Sequence, residues 1–521
     1  MAVQAALPVI TPPRRWDRDG LQRTLINVGW QLAILAAFVA IAVLLRGGHI
    51  RWLTGLNPDE SELMAQARAA MRSPVPYTTW TTATTGPIWP LFLALLGVLG
   101  FPLTIAFAHL LSAIFVGVLG YLGFTLARRG LDATTSVVVT AFWWLPMVLA
   151  LMGSLIDFAP LSTEYLPSAL LLIAAVIPTA ALTRRPWLYL AVGLLCGLAV
   201  GAKYQAAPMA LAVLLVHLIM AGNNQWRVWL RAFVFCGAGF LLPFTVVGLA
   251  VLLDPNVSFA VIQQSLNFLA DYGNAQTMTN RLSNWRGLVT QMHMVLLVLA
   301  VYWLGARSTG RVQICRAITV LAGLAAVYAG GMGFAHYLIF LYTAIAMAIG
   351  LPLKASARLV PFTRRRLVAI GTVAIVAMIG WLVSFGPTLG SFSRLHRHDL
   401  ATALSASSGP QDRQVAEACP AGSNVVVWGW APELYVDYSW NNVIPFVNVS
   451  QLTGTPKNYS SGRELMSHAI EDSSTDCVVD AVGGTFFSKP DVLPLFKFYP
   501  GINSLLDDQY RPLAAQTFTE C

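Results

Sequence analysis

The chain has 521 residues, of which 56% are apolar and only 11% charged, against roughly a quarter charged in a typical soluble domain. Its mean hydropathy of +0.63 excludes a soluble enzyme, an intrinsically disordered chain and a small disulfide scaffold. The net charge of +9 does not point to nucleic acid, because Lys and Arg sit in short groups between apolar runs, where they orient a membrane protein.

The first segment, 1–26, is polar and carries Arg14, Arg15, Arg18 and Arg23. It reads as a cytoplasmic tail, and no cleaved signal peptide is expected. Apolar runs then recur near 27–45, 103–127, 134–156, 166–183, 187–202, 205–221, 232–253, 288–305, 313–330, 337–353 and 367–386. At about 20 residues per crossing they make about eleven spans. With the N-terminus inside, every cytoplasmic connection holds at least two cations, such as Arg128 with Arg129 and Arg184 with Arg185. Outer connections hold fewer, and acids show the opposite bias. The expected fold is an all-α polytopic membrane domain over 27–386, N-terminus in and C-terminus out.

Residues 88–101 are too short to cross and are expected to form an interfacial or re-entrant helix within a first outer loop of 46–102. Two further outer loops fall at 157–165 and 254–286. After residue 387 the chain turns polar and holds fourteen of the 24 acidic residues. Runs such as Asn424–Trp428 and Cys477–Val482 read as strands, with helix-like Gly462–Ile470 between, so 387–521 is expected to be an outer α/β domain. Cys196, Cys236 and Cys315 read as core residues. Cys419, Cys477 and Cys521 allow one disulfide with one thiol left over, in a pairing the spacing leaves open.

Carboxylates at the membrane surface are the candidate chemistry. Asn57-Pro58-Asp59-Glu60-Ser61-Glu62 can be read as a helix start, with Asn57 as cap, Pro58 in the first turn and Glu60 completing a capping box. It can equally place Asp59 or Glu60 in a cavity as a base or metal ligand. Asp157 and Glu164, in DFAPLSTEYLP, are held near the bilayer by Pro160 and Pro167, where a carboxylate costs free energy unless water, a cation or a donor meets it. Lys203, ending the span GLAVGAKYQ, either snorkels or meets an anion such as a lipid phosphate. His336 and Tyr337 sit at the outer end of another span. Trp428 and Trp430 are either strand-end core aromatics or a rim that stacks on sugar rings. No phosphate loop, HExxH helix, GxSxG elbow or Cys/His cluster is present.

In order along the chain, Asp59-Glu60, TTGPIWPLFLALLG at 84–97, the Lys203 stretch, His336-Tyr337 and VVVWGWAPELY at 425–435 resemble the GT-C superfamily of integral-membrane glycosyltransferases. The likeness is to bacterial relatives of protein O-mannosyltransferases and of the aminoarabinose and galacturonic acid lipid A transferases. The resemblance implies an inverting enzyme of the plasma membrane, with its active site facing the periplasm or cell exterior. It would move a sugar from a polyprenyl-phosphate donor to a glycan, lipid or protein acceptor.

By that likeness Asp59 is the candidate general base, assisted by Glu60. Asp157 and Glu164 would position the acceptor or a metal, and Lys203, His336 and Tyr337 would hold the donor phosphate. Where many relatives carry an Arg, AHLLSA has His109, which implies a phosphate held by His109 or another cation. A divalent cation is left open, and no other cofactor is expected. The rival readings are a lipid-linked sugar flippase and an O-antigen ligase-type enzyme. The first calls for paired half-chain repeats or broken helices, the second for a late functional loop.

Overall fold

The computed structural model describes residues 18–50, 58–82, 85–148, 160–221, 226–274, 277–291, 310–351, 413–448, 452, 456–472, 474–481 and 510. Asp157, Cys521, the expected span 367–386 and most of the expected span 288–305 lie outside them. The membrane part runs α1 (Arg18–Leu45), α2 (Gly47–Ile50), α3 (Pro58–Arg72), α4 (Ile88–Val98), α5 (Ile105–Ala127), α6 (Ala133–Val148), α7 (Tyr165–Val176) and α8 (Thr179–Arg184). It continues through α9 (Leu188–Ala202), α10 (Ala207–Ala221), α11 (Trp226–Leu253), α12 (Phe259–Asn274), α13 (Met278–Gln291), α14 (Gly310–Ala329) and α15 (Leu338–Gly350).

Five helices among the described residues are long and apolar enough to cross a membrane: Leu25–Leu45, Ile105–Ala127, Tyr204–Ala221, Trp226–Leu253 and Gly310–Ala329. Shorter apolar helices occupy Ile88–Val98, Ala133–Leu145, Tyr165–Val176, Leu188–Ala202 and Ala335–Gly350. The expected span 166–183 is broken. Ile177 precedes Pro178 and is extended (φ −67°, ψ 119°), so α7 stops there and α8 restarts beyond it, as the steric demand of proline on its predecessor requires. The segment 254–286, expected as an outer loop, is largely helical, forming α12 and the start of α13.

Helix α5 is the hub of the bundle. It packs against α1, α6, α7 and α15, and Thr104 caps it by accepting from the Phe107 amide at 3.2 Å. Helices α1 and α11 instead expose large apolar side chains such as Trp30, Leu44, Phe233 and Leu252, a surface suited to lipid rather than water. Helices α9 and α11 meet through glycines. A Cβ on Gly193 would lie 2.1 Å from the Cys236 carbonyl oxygen, and one on Gly197 2.3 Å from that of Phe240. Backbones approach this closely where small residues line a membrane helix interface.

The C-terminal part holds α16 (Arg413–Ala418), β1 (Asn424–Trp428), α17 (Glu433–Asp437), β2 (Asn441–Asn442), α18 (Pro456–Glu471) and β3 (Cys477–Asp480). The strands form a parallel sheet in the order β2-β1-β3, with Val425 opposite Cys477 and Trp428 opposite Asp480. β1 is apolar almost throughout because both its faces are covered, as expected for a central parallel strand. Val425 and Val427 join the large core with Tyr435, while Val426 and Trp428 turn to a second core with Phe446, Met466 and Ile470. Cys419 and Cys477 are joined in a disulfide that ties the end of α16 to the start of β3.

This domain seats on α3. Arg68 donates to the carbonyls of Tyr435 (3.3 Å) and Leu103 (3.2 Å), and Arg72 to Asn442 Oδ1 (2.9 Å). Asn442 Nδ2 donates to the Thr79 carbonyl, and Asn448 Nδ2 to Glu62 Oε2 at 3.4 Å. Helix α3, with Asp59 and Glu60 in its first turn, therefore lies between the apolar bundle and the α/β domain.

Candidate active site

The start of α3 needs little from the rest of the chain. Proline fits the first helical turn and acids there complement the helix dipole. The two neighbouring acids are nevertheless separated in fate. Glu60 is fully buried, accepting from His109 Nε2 at 3.1 Å and from the Leu161 amide at 3.0 Å. Asp59, one residue earlier, keeps 35% of its side chain exposed and lies 3.8 Å from His336 Nε2. That distance is within ion-pair reach but beyond a hydrogen bond.

The segment 160–164 is pinned from several sides. Besides the Leu161 bond to Glu60, Ser112 Oγ donates to the Pro160 carbonyl (3.0 Å) and Trp89 Nε1 to the Thr163 carbonyl (2.9 Å). This rigid turn presents Glu164 inward, where it lies 3.4 Å from Lys203 Nζ and accepts from the hydroxyls of Ser162 and Thr163. Burial by itself would raise the Glu164 carboxyl. Lys203, His336 and the two hydroxyls outweigh that and hold it below the ordinary carboxylate range.

Lys203 is placed just as firmly. It leaves α9 in an extended conformation (φ −150°, ψ 117°) and pairs as an isolated bridge with Thr85. Gly86 makes the approach feasible, since a Cβ there would stand 1.9 Å from the Gly201 carbonyl oxygen. The ammonium lies 5.9 Å from the Tyr337 ring centroid, and that ring meets His336 edge-on at 4.8 Å. Tyr337 and His336 are buried; Phe334 stacks on the imidazole at 5.5 Å and meets the Tyr337 ring edge-on at 5.9 Å.

The residues singled out from sequence therefore fall in two groups. Asp59, Glu60, His109, Glu164, Lys203, His336 and Tyr337 gather at one end of the bundle through the links just described. Asp157 lies outside the described residues. Trp428 is completely buried in the second core of the α/β domain, so of its two readings the ring takes that of a strand-end core aromatic and not that of a sugar-stacking rim. Trp430 is half-buried. Among the described residues no group of three His, Cys, Asp or Glu converges as a metal site.

Two residues escaped the sequence reading. Arg46 reads as a loop charge, yet it is buried and donates to the carbonyls of Met147 (2.9 Å) and Val148 (3.1 Å), to Ser112 Oγ (2.9 Å) and to Tyr165 Oη (3.4 Å). It fastens the end of α6 to α5 and α7 behind the carboxylates. Glu433 begins α17, which packs on α3. Burial pushes its carboxyl up to about 7, and the negative charges of Asp437 and Glu60 push the same way.

Glu433 carries a pH prediction. Between its ordinary value near 4.5 and about 7, the folded protein holds a proton that the unfolded chain has lost. Stability must therefore fall as pH rises through that window. Glu433→Gln is expected to flatten this slope and to stabilise the protein at pH 8 by on the order of 1–3 kcal/mol. Equal melting temperatures for the two proteins at pH 8 would contradict it.

No protein-family model matches the chain, and no curated protein matches it. Among solved structures, it is similar to the crystal structure of the Archaeoglobus fulgidus oligosaccharyltransferase in the apo form, at 14% sequence identity and a TM-score of 0.40, over 84% of this chain and 68% of that one. A likeness of that degree carries no activity, substrate or residue role across.

Proposed function

We propose that the chain is a GT-C-type glycosyltransferase that moves a sugar from a polyprenyl-phosphate donor to an acceptor at the outer face of a prokaryotic plasma membrane, with inversion. The observation that carries the proposal is the division of labour among the three carboxylates. Glu60 and Glu164 are fully buried, beside His109 and Lys203 respectively, whereas Asp59 stays accessible beside His336. A carboxylate in that position can take a proton from an incoming hydroxyl without the site being rebuilt.

In the proposed step the acceptor hydroxyl gives its proton to Asp59 and its oxygen attacks the anomeric carbon. The bond from that carbon to the phosphate oxygen breaks, and its electron pair leaves with the polyprenyl phosphate. Lys203, His336 and Tyr337 are the groups proposed to meet the donor phosphate, where cations stabilise the growing charge. Glu60 and His109 act as positioning residues, since they hold the 160–164 turn that carries Glu164.

Two features support the outward orientation. The charge bias of the connections is the one expected of a carboxylate end facing outside, and the Cys419–Cys477 disulfide suits an oxidising compartment. The early acidic loop favours transfer over the ligase-type reading.

Mass spectrometry of lipids that co-purify in mild detergent tests the donor class. A polyprenyl monophosphate, free or sugar-loaded, is expected with the wild type, with the loaded form enriched in Asp59→Asn. A pyrophosphate-linked oligosaccharide in its place would overturn the proposal in favour of a ligase.

A further inference from the structure

The carboxylate cluster uses one end of the bundle; a partly open cavity of about 50 Å³ occupies the other. It lies where the C-terminal ends of α5, α7 and α15 and the second half of α10 meet the first turn of α8 and the middle of α14, and its wall includes the apolar Leu126, Val213, Val216 and Met347. His109 and Leu126 are seventeen residues apart on α5, about 25 Å at 1.5 Å per residue. That is close to the thickness of a bilayer's hydrocarbon core, so the cavity belongs to the leaflet opposite the carboxylates.

Two polar groups mark it. Arg129, at the exposed edge, spends one N–H on the Ala175 carbonyl (2.9 Å) and has four further N–H donors on its guanidinium fork. His217 is buried in the wall, and its Nε2–H donates to the Ala174 carbonyl at 3.1 Å. Among the described residues its buried Nδ1 has no hydrogen-bond partner. With Nε2 carrying the proton, Nδ1 of the neutral ring is an acceptor and calls for a hydroxyl. An acceptor left unmatched in such a place costs free energy that a ligand hydroxyl would recover.

We propose that this cavity binds an anionic phospholipid whose headgroup carries a hydroxyl. The phosphate meets Arg129, a headgroup hydroxyl donates to His217 Nδ1, and the acyl chains run outside the cavity along the lipid-facing surface of the bundle. A cation at the rim, an acceptor within and apolar walls in a chain with membrane-length helices match an amphiphile rather than a free anion. The proposal stands independently of sugar transfer at the opposite end.

The test uses the whole purified chain, with phosphatidylglycerol, phosphatidylethanolamine of the same acyl chains and inorganic phosphate as probes. Native mass spectrometry counts bound lipid and a thermal shift reports stabilisation. Phosphatidylglycerol is expected to bind and stabilise the wild type, and the other two probes are not. Arg129→Gln and His217→Phe are each expected to weaken phosphatidylglycerol at least tenfold, whereas Arg128→Gln, one residue from Arg129 and outside the cavity lining, keeps it. Equal response to phosphatidylethanolamine, an equal shift with inorganic phosphate, or undiminished binding in the two cavity variants would each overturn the proposal. Should either variant fail to fold, the wild-type comparison of the three probes decides it.

Discussion

Asp59→Asn is expected to lower glycosyl transfer by about 10³-fold while leaving the melting temperature within a degree or so of wild type. A positioned general base contributes on the order of 10²–10⁴ to rate, and Asn keeps the size and shape of the side chain without its basicity. Asp59 lies 3.8 Å from His336 Nε2, and 35% of its side chain is in solvent. Pairs of that kind contribute at most about 1 kcal/mol. Glu60→Gln is the informative contrast, because Glu60 ties His109 to the Leu161 amide and its loss should reach stability as well as rate. Full activity in Asp59→Asn expressed at wild-type level would remove Asp59 from the chemistry.

The second large effect falls on Lys203. Lys203→Met leaves Glu164 buried without its cation, and breaking one partner of a buried pair costs about 3–5 kcal/mol. Adding Glu164→Gln neutralises the stranded carboxylate and should return most of that stability, since removing both charges of such a pair is far milder than removing one. If Lys203 also meets the donor phosphate, the double variant folds but stays inactive. Denaturation and transfer assays on the two single variants and the double variant separate these contributions. A Lys203→Met protein as stable as wild type would contradict the buried pair.

Local features were legible in the sequence and distant pairings were not. The start of α3 follows from Pro58 and the acids behind it, and α4 from an apolar run too short to cross. β1 follows from the unbroken NVVVW, whose period-two alternation then divides Val426 and Trp428 from Val425 and Val427. The same alternation explains why Trp428 is core: a strand end whose both faces are covered leaves no rim for that ring.

Partners far apart in the chain are another matter. Glu60 meets His109 across 49 residues and Leu161 across 101, and no spacing rule connects them. Arg46 reads as one more loop cation because positive charge near a span end is ordinary topology; only packing makes it a donor to carbonyls at the end of α6. Glu433 lies within VVVWGWAPELY, where the local sequence marks it only as an acid at a helix start. Its raised carboxyl arises from packing against α3 and from Asp437 and Glu60 nearby.

The central claim is turnover of a polyprenyl-phosphate sugar, and it is tested most directly in proteoliposomes holding the purified chain, one such donor at a time and a mixture of envelope acceptors. The account predicts release of polyprenyl monophosphate matched by sugar appearing on an acceptor with inverted anomeric configuration, both abolished by Asp59→Asn. Movement of intact donor across the bilayer without release, or release only from pyrophosphate-linked donors, would contradict it.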